Sequence, residues 1–496
     1  MNDMDEFSKS QEEIYRQRKD KLEELLQQKN SVLLPSYERT SFIKEIREQH
    51  KEIEPGFHTD IKVRITGRIM NVRSFGKLLF YDLQDESGKI QLLIDNKDIT
   101  KLSKAVVKNL DVGDIVGCQG DIMSTKKGEL SIKIHEIQLL TKAFRSLPEK
   151  WHGLKDKETR FRQRYLDFIA NPEAKKIIST RSIIIKNIRA FMEERGFQEF
   201  DTPILQPKAG GAIARPFTTH HNALDFDIYL RIAPELYLKR LIIGGFEKVY
   251  ELGRVFRNEG VDSTHSPEFT MLESYEAYAD VEDVMDLTED MIKNVFSSVG
   301  IKDEVIYGEL SIHIDKNWKR REMNELVSEA IGIEINFESD KNKIVKQLQK
   351  KEINFEGDSI GTIIFSLFEN YVEPNIKEPI FVTGYPIEVS PFARQRNDEG
   401  LVTDRFELFM FGFEVANGFS ELIDSEEQYR RLSEQAKEKL TGNDEAHVED
   451  DDYVLAMQYG LPPTGGLGVG IDRLVMIATN QESIREVVPF PLMKPD

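Results

Sequence analysis

Residues 254–275 read RVFRNEGVDSTHSPEFTMLESY, an apolar strand pattern in which charged residues recur. An unpaired charge inside such a pattern is costly, so each one needs a partner or a ligand. In Phe269-Thr-Met-Leu-Glu-Ser-Tyr275 the two-residue period of a strand puts Phe269, Met271, Glu273 and Tyr275 on one face. A carboxylate and a phenol sharing a face with Phe and Met predict a pocket with polar tips. The strand before it presents Arg257 alongside Glu259, and a turn-rich loop from Gly260 to Pro267 joins the two.

Two further segments repeat the theme. Glu407-Leu-Phe-Met-Phe-Gly-Phe-Glu414 is followed by Asn417, Phe419 and Glu421. Read as one extended strand, the spacing puts Glu407 and Glu414 on opposite faces unless a bulge or bend intervenes. Two acids in so apolar a strand invite a hard cation, the alternative being edge-strand ion pairs. Gly465-Gly-Leu-Gly-Val-Gly-Ile-Asp-Arg473 has Ile471 where a dinucleotide-binding loop has its third glycine. It predicts a strand-to-helix junction with closely packed backbone, from which Arg473 emerges. No phosphate loop of the Gly-x-x-x-x-Gly-Lys-Ser/Thr type occurs, so any nucleotide is held in another way.

Upstream, the texture is different. From residue 61 come β-branched runs VRITGRIM, LLFYDLQD and KIQLLID, a helix-like LSKAVVKNL, then DIVGCQGDIM and ELSIKIHEIQLL. Three strands, a helix and two strands predict a five-stranded barrel of the oligonucleotide-binding (OB) kind, with hairpin turns at Ser87-Gly88 and Lys127-Gly128. Residues 61–80 hold five basic side chains (Lys62, Arg64, Arg68, Arg73, Lys77) and no acid, with Phe75, Phe80 and Tyr81 nearby. Charge for a backbone and π-faces for bases are the ingredients of a single-stranded nucleic acid platform; core aromatics beside solvated lysines are the alternative.

Residues 1–55 are charged and helix-prone, with Ile14, Leu22, Leu25 and Leu26 as a thin stripe interrupted by Pro35, which predicts a helical lead-in rather than a core. Residues 56–145 hold the barrel, and 146–170, with Leu147-Pro148 and the irregular run from Glu149 to Arg164, form a linker. The second domain, 171–496, opens with Asn171-Pro172-Glu173 capping a long helix whose Ile184, Ile188 and Phe191 share a face before Gly196 stops it.

The 496 residues, 40 % hydrophobic and 31 % charged, describe a globular multidomain chain and exclude disordered and collagenous classes. The single Cys118 cannot form an intramolecular disulfide or a thiolate zinc site and reads as a small core hydrophobe. The N-terminus has no basic-then-apolar signal pattern, and no apolar run approaches a membrane span, so a reducing cytoplasm is expected.

These motifs resemble those of class II aminoacyl-tRNA synthetases: Gly196-Phe-Gln-Glu-Phe-Asp-Thr-Pro203 is similar to motif 1, Phe256-Arg257-x-Glu259 to motif 2, and Gly468-x-Gly470-x-Asp-Arg473 to motif 3. With a barrel in front, the pattern is that of the aspartyl, asparaginyl and lysyl subgroup. Arg231-Ile-Ala-Pro-Glu-Leu-Tyr-Leu-Lys-Arg240, Gly210-Gly211-Ala, Tyr385-Pro386 with Ser390-Pro391, and Asn417-Gly-Phe-Ser-Glu421 are closely similar to the bacterial lysyl branch.

The resemblance implies an α+β multidomain fold: an N-terminal OB-fold β-barrel and a class II catalytic domain on an antiparallel sheet flanked by helices, with about 281–380 inserted between motifs 2 and 3. It implies activation of L-lysine by ATP and transfer to tRNA(Lys) by a homodimer that uses Mg²⁺. Glu235 and Glu421, beside Tyr275 and Phe419, would surround the end of the amino-acid pocket. Glu273 and the Gly211 carbonyl would take the α-amino group, and Asn417 and Arg257 the α-carboxylate. Arg257 would also reach the α-phosphate. Glu259 and His265 would belong to the ATP side, Phe269 and Arg473 would sandwich the adenine, and Glu407 and Glu414 would ligate Mg²⁺. Arg73, Phe80, Gln91 and Glu129 would read the anticodon.

Two carboxylates facing a substrate side chain demand a cation, and none of the matched pocket segments offers a basic residue aimed there, as an aspartate enzyme should. The rivals are an aspartate- or asparagine-specific sister and a nucleic-acid-binding protein with a dead catalytic domain. Retention of Arg257, Glu407, Glu414 and Arg473 argues against the latter. A relative that modifies a protein would lack the barrel. The net charge of −20 does not exclude RNA: residues 1–150 carry 26 basic and 25 acidic side chains, the remainder 41 and 62. RNA must then be met by local positive faces, with strong salt dependence.

Overall fold

The computed structural model describes residues 2–27, 36–148, 156–212, 214–396, 400–440 and 450–495; Pro35, 149–155 and Glu449 lie outside the described residues. The chain forms two compact units, Met1–Lys155 and Asp156–Asp496.

In the first unit, α1 (Asn2–Leu26) and α2 (Ile43–Gln49) precede β1 (His58–Phe75), β2 (Leu78–Gln84), β3 (Lys89–Asp95), α3 (Lys101–Asn109), β4 (Ile115–Ser124) and β5 (Leu130–Thr141). The order β1-β2-β3-β5-β4, with β1 also bonded to β4, closes a barrel. Alternation drives the closure: Ile90, Leu92 and Ile94 of β3 point into the core, and the residues between them face outward. β1 serves two neighbours because irregular register between His58 and Lys62, and between Ile69 and Asn71, bends it. Asp85 shapes the β2–β3 turn by accepting from the Ser87 and Gly88 amides at 2.7 and 2.9 Å. Cys118 is buried in β4, and burial pushes its thiol pKa up, so it is an inert core residue.

The first helices are more than a lead-in. Leu25, Ile43 and Ile46 are buried with the barrel core, whereas Leu26 is exposed. A stripe too thin to make a core of its own is completed by the apolar side chains of the barrel.

The second unit opens with α4 (Lys157–Arg162), α5 (Arg164–Ala170) and α6 (Pro172–Glu194). Asn171 caps α6 by accepting from the Glu173 amide at 3.1 Å, and Gly196, at φ 81°, follows its end. Four short strands follow, β6 (Gln198–Glu199), β7 (Leu205–Gln206), β8 (Thr218–His221) and β9 (Phe226–Leu230), then α7 (Glu235–Ile243), β10 (Lys248–Phe256), β11 (Glu268–Ala277) and α8 (Val281–Ser298). Next come β12 (Glu304–Tyr307), β13 (Leu310–His313), β14 (Lys319–Glu322), α9 (Met323–Ile331), α10 (Lys341–Lys350) and α11 (Ile360–Tyr371). The chain then runs through β15 (Ile380–Thr383), β16 (Arg405–Met410), β17 (Phe413–Ser420), α12 (Ser425–Leu440), α13 (Asp451–Met457), β18 (Thr464–Gly470), α14 (Ile471–Thr479) and α15 (Ile484–Val487).

Eight strands make one sheet in the order β14-β15-β16-β17-β18-β11-β10-β6; the inner six pair antiparallel, with β14 and β6 as parallel edges. Helices α6, α8 and α14 bury Ile184, Ile188, Phe191, Ile292, Phe296 and Leu474 against it. Residues 281–380 are woven into this framework, since α8 joins the main core and β14 the sheet; α9, α10 and α11 build a second core with Val382 and Phe409. The buried Arg181–Asp472 pair ties α6 to α14, and Asp472 also accepts from the Thr270 amide at 2.7 Å, which fixes α14 against β11. Among the described residues no helix is long and apolar enough to cross a membrane.

Candidate active site

The middle strands of the sheet floor a cavity of about 430 Å³. Its floor exists because of β18: Gly466, Gly468 and Gly470 fall on the cavity face by strand alternation and bring no side chains to fill it. A Cβ at Gly466 would stand 2.1 Å from Glu421 Oε1, so only glycine fits there. As the glycine run predicted, β18 passes directly into α14, whose first turn carries Arg473. Its neighbours β17 and β11 are antiparallel to it, which excludes a dinucleotide fold.

Gly211, Glu235, Arg257, Glu259, His265, Phe269, Glu273, Tyr275, Glu407, Glu414, Asn417, Phe419 and Arg473 all line this one cavity. Phe269, Met271, Glu273 and Tyr275 do so from β11, as alternation required. Glu421, just past β17, is fully buried at the cavity's inner end, behind Gly466 and Tyr275.

Glu407 and Glu414 do not share one strand. The chain reverses between them through a two-residue turn in which Phe411 and Gly412 take φ of 54° and 79°, so β16 and β17 form a hairpin. Glu407 pairs opposite Asn417 and Glu414 opposite Phe409, with a register shift between, and both carboxylates reach the cavity. Burial, with the charge of Glu414 adding to it, pushes the Glu407 carboxyl up to about 7 although Arg405 opposes the shift.

Arg405 was not singled out in the sequence. It sits two residues before Glu407 on the same face of β16, pairs with that carboxylate, and donates from Nε to Asn417 Oδ1 at 3.2 Å and from Nη1 to Ser390 Oγ at 3.1 Å. Because Asn417 accepts through its oxygen, its NH₂ is the group it can offer a ligand. The Tyr385 hydroxyl donates to the other Glu407 oxygen at 2.8 Å.

At the opposite side, Asp262 organises the loop between β10 and β11. It accepts from the Thr264 and His265 amides at 2.6 and 2.8 Å and from His265 Nδ1 at 2.8 Å, contacts that outweigh desolvation and hold its carboxyl well below the usual range. A proton on Nδ1 leaves His265 Nε2 to accept from Arg473 Nη2 at 3.3 Å. Arg473 also donates to the Glu414 carbonyl at 2.7 Å. The Arg257 guanidinium lies 5.1 Å from the Phe269 ring centre; its Nε has no hydrogen-bond partner among the described residues, and burial lowers its pKa against the pull of Glu259, Glu414 and Glu273.

The inner end holds a surprise. Lys239, one helical turn after Glu235 on α7, is completely buried, and its ammonium contacts both Glu235 and Glu421. The expectation that no basic residue is aimed at this end is therefore overturned: the cation sits within the stretch 231–240 itself. The Lys239 contact is made to Glu421 Oε2, and Oε1 has no hydrogen-bond partner among the described residues. Burial chiefly, with Glu235 adding, raises the Glu421 carboxyl to about 8 despite Lys239. Glu273, bonded by the Tyr275 hydroxyl at 3.2 Å, is likewise raised by burial and by Glu235. The cluster carries more carboxylate than cation.

On the barrel, Arg73 of β1 stands opposite Phe80 of β2, and Asp82 opposite Gln91 of β3. Arg73 donates to Asp82 at 2.8 Å and to Gln91 at 3.3 Å, and Gln91 donates to Ser131 Oγ at 2.9 Å, so one polar row crosses four strands beside a half-buried Phe80. Glu129 lies at the end of the β4–β5 hairpin, where its carboxylate is 3.8 Å from Arg47. The five-cation face is partly neutralised: Arg64 pairs with Glu38 at 3.3 Å and Arg68 donates to the Gly113 carbonyl at 2.7 Å. Tyr81 is a core residue, whereas Phe75 is exposed at the strand end.

Residues 156–494 match the family of class II tRNA synthetases (D, K and N), and residues 63–140 match the OB-fold nucleic acid binding domain. The chain is 47 % identical to the lysine--tRNA ligase of Carboxydothermus hydrogenoformans over 486 residues, 97 % of this chain and 98 % of that one. It is 46 % identical to that of Pelotomaculum thermopropionicum, covering 97 % and 95 %. With the lysine--tRNA ligase of Clostridium botulinum it shares 44 % over 499 residues, covering 100 % and 98 %. A glycine-floored cavity of acids and arginines on an antiparallel sheet, in a chain this similar to its relatives from end to end, has one explanation: the chain belongs to the class II aminoacyl-tRNA synthetases of the D, K and N group.

Proposed function

We propose that this chain is a lysine--tRNA ligase, which joins L-lysine to ATP as lysyl-adenylate with release of pyrophosphate and then passes the lysyl group to the 3′ end of tRNA(Lys). Glu421 carries the reading: a buried carboxylate behind the closed end of the cavity, its Oε2 met by Lys239 and its Oε1 without a hydrogen-bond partner among the described residues. Lys239 offsets one of the three buried acids Glu235, Glu273 and Glu421, so an aspartate side chain would still be repelled there and a neutral one would leave the remainder unpaired, whereas an ammonium satisfies it.

On this reading Glu235 and Glu421, with Tyr275 and Phe419, hold the side-chain ammonium. Glu273 and the Gly211 carbonyl take the α-amino group, and the Asn417 amide and Arg257 hold the α-carboxylate. That carboxylate is already ionised at neutral pH, so no general base is required and catalysis rests on positioning and charge. Arg257 meets the negative charge that grows on the α-phosphate during in-line attack. Phe269 and Arg473 sandwich the adenine, with Glu259 and His265 on the ATP side.

Glu407 and Glu414 suit Mg²⁺, which commonly takes one or two carboxylates and completes its shell with substrate phosphates and water. The mutual repulsion that helps to raise Glu407 is what a cation between them would relieve. Mg²⁺ bound there supplies neutralisation of phosphate charge.

The row Arg73, Phe80 and Gln91, with Glu129 at its margin, reads the anticodon, Phe80 stacking on the central base. Phe80→Ala should lower the rate of lysine attachment to tRNA about tenfold or more, while ATP–pyrophosphate exchange without tRNA stays unchanged. Matched losses in both would refute this division of labour. We also expect a homodimer in a reducing cytoplasm. Ile183 of α6, Ile204 and Leu205 directly after motif 1, and Phe226 of β9 are exposed apolar side chains that a second copy would cover. Analytical ultracentrifugation should find twice the chain mass; a monomer would contradict the dimer. The full reaction is tested by supplying ATP, Mg²⁺, labelled lysine and tRNA(Lys): lysyl-tRNA should accumulate, and adenylate without it would remove the transfer step.

A further inference from the structure

The Lys239 ammonium is the one resident cation contacting Glu235 and Glu421 among the described residues, and aromatic rings enclose it. Its Nζ lies 4.9 Å from the Phe392 ring centre, 5.5 Å from Phe419, 5.7 Å from Tyr275 and 6.0 Å from Tyr453. Desolvation opposes its charge, but the fields of Glu235 and Glu421 outweigh it and the pKa is raised, so Lys239 stays an ammonium. Three carboxylates are buried here, Glu235, Glu273 and Glu421. Lys239 offsets one of them. Arg405, whose field also reaches Glu235, is committed to Glu407, Asn417 and Ser390.

Two buried carboxyls therefore remain, their pKa values raised by burial and each left to ionise against a ligand's cation; Glu235 and Glu273 line the cavity with Arg257 and Asn417, and Glu421 lies just behind Gly466. We propose that Lys239 is a specificity-determining positioning residue: by neutralising one of three pocket carboxylates it leaves two, the number that matches the α- and ω-ammonium groups of a diamino carboxylic acid. This rests on the lysine reading above and gives it a charge count. A pocket without Lys239 would face three carboxylates with two substrate cations and would have to retain a proton or a buried charge. The contact with Glu421 also spans from α7 to the end of β17, which holds the far wall in register.

Lys239→Met keeps the length of the side chain and removes the charge. In ATP–pyrophosphate exchange the lysine KM should rise about a hundredfold, with the ATP KM changed less than about twofold. Lys239→Met combined with Glu235→Gln restores two carboxylates for two ammoniums, and the double variant should have a lower lysine KM than either single variant. A lysine KM that falls in Lys239→Met would overturn the proposal, because Lys239 would then be competing with substrate for the carboxylates. Unchanged lysine KM with a reduced kcat, and additive losses in the double variant, would also overturn it by reducing Lys239 to core packing. Exchange with another amino acid and not lysine in the unsubstituted protein would refute the lysine reading itself, a result separable from failure of the Lys239 variants in an active parent.

Discussion

Arg257→Ala should lower lysine-dependent ATP–pyrophosphate exchange by about 10³-fold, the largest single loss expected anywhere in the molecule. The guanidinium lines the cavity between the amino-acid end and the Phe269 side, in the field of Glu259, Glu414 and Glu273, with its Nε unpartnered. Among the described residues nothing consumes that donor, so it is available to the two groups that react, the lysine carboxylate and the α-phosphate. Charge develops on the phosphate only as the bond forms, and a donor aimed at it acts on the rate more than on ground-state binding. The loss should therefore fall mainly on kcat, with the fold intact by circular dichroism. A variant that exchanges at the parental rate would remove Arg257 from the reaction.

Glu421→Gln should lower kcat/KM for lysine by more than about a hundredfold and leave the ATP KM within about twofold. The substitution preserves shape and deletes half of the countercharge nearest Lys239 and the closed end of the cavity. It is expected to act on lysine because Glu421 meets Lys239, whereas His265 and Arg473, assigned to ATP, are engaged with Asp262 and Glu414. Unchanged lysine kinetics would sink the assignment of Glu421 to the ammonium. A matched rise in the ATP KM would mean that the substitution distorts the whole cavity.

The parts of the site legible in the sequence are those set by local periodicity. Phe269, Glu273 and Tyr275 reach the cavity because a strand alternates, and Asn171, Pro172 and Gly196 bound α6 because caps obey local stereochemistry. The barrel was legible for the same reason, strand by strand. Whether Glu407 and Glu414 share a face stayed open in the sequence because the turn between them places a Phe at positive φ, and Phe411 carries none of the usual turn signals; only Gly412 hinted at a reversal. Lys239 was half legible. Its spacing of four from Glu235 puts both on one helix face, but its second partner, Glu421, is brought to it by the fold. Arg405 could have been found by the same period of two that pairs it with Glu407. Leu25, Ile43 and Ile46 could not, since what buries them is a barrel formed by later residues.

The D, K and N group activates three chemically different amino acids, so the claim that this cavity is built for a diammonium substrate is decided by tRNA-independent ATP–pyrophosphate exchange with each of the twenty amino acids in turn. Lysine should support exchange at least a hundredfold faster than any other, with aspartate and asparagine at background. Exchange driven by aspartate or asparagine in place of lysine would contradict the account at its centre.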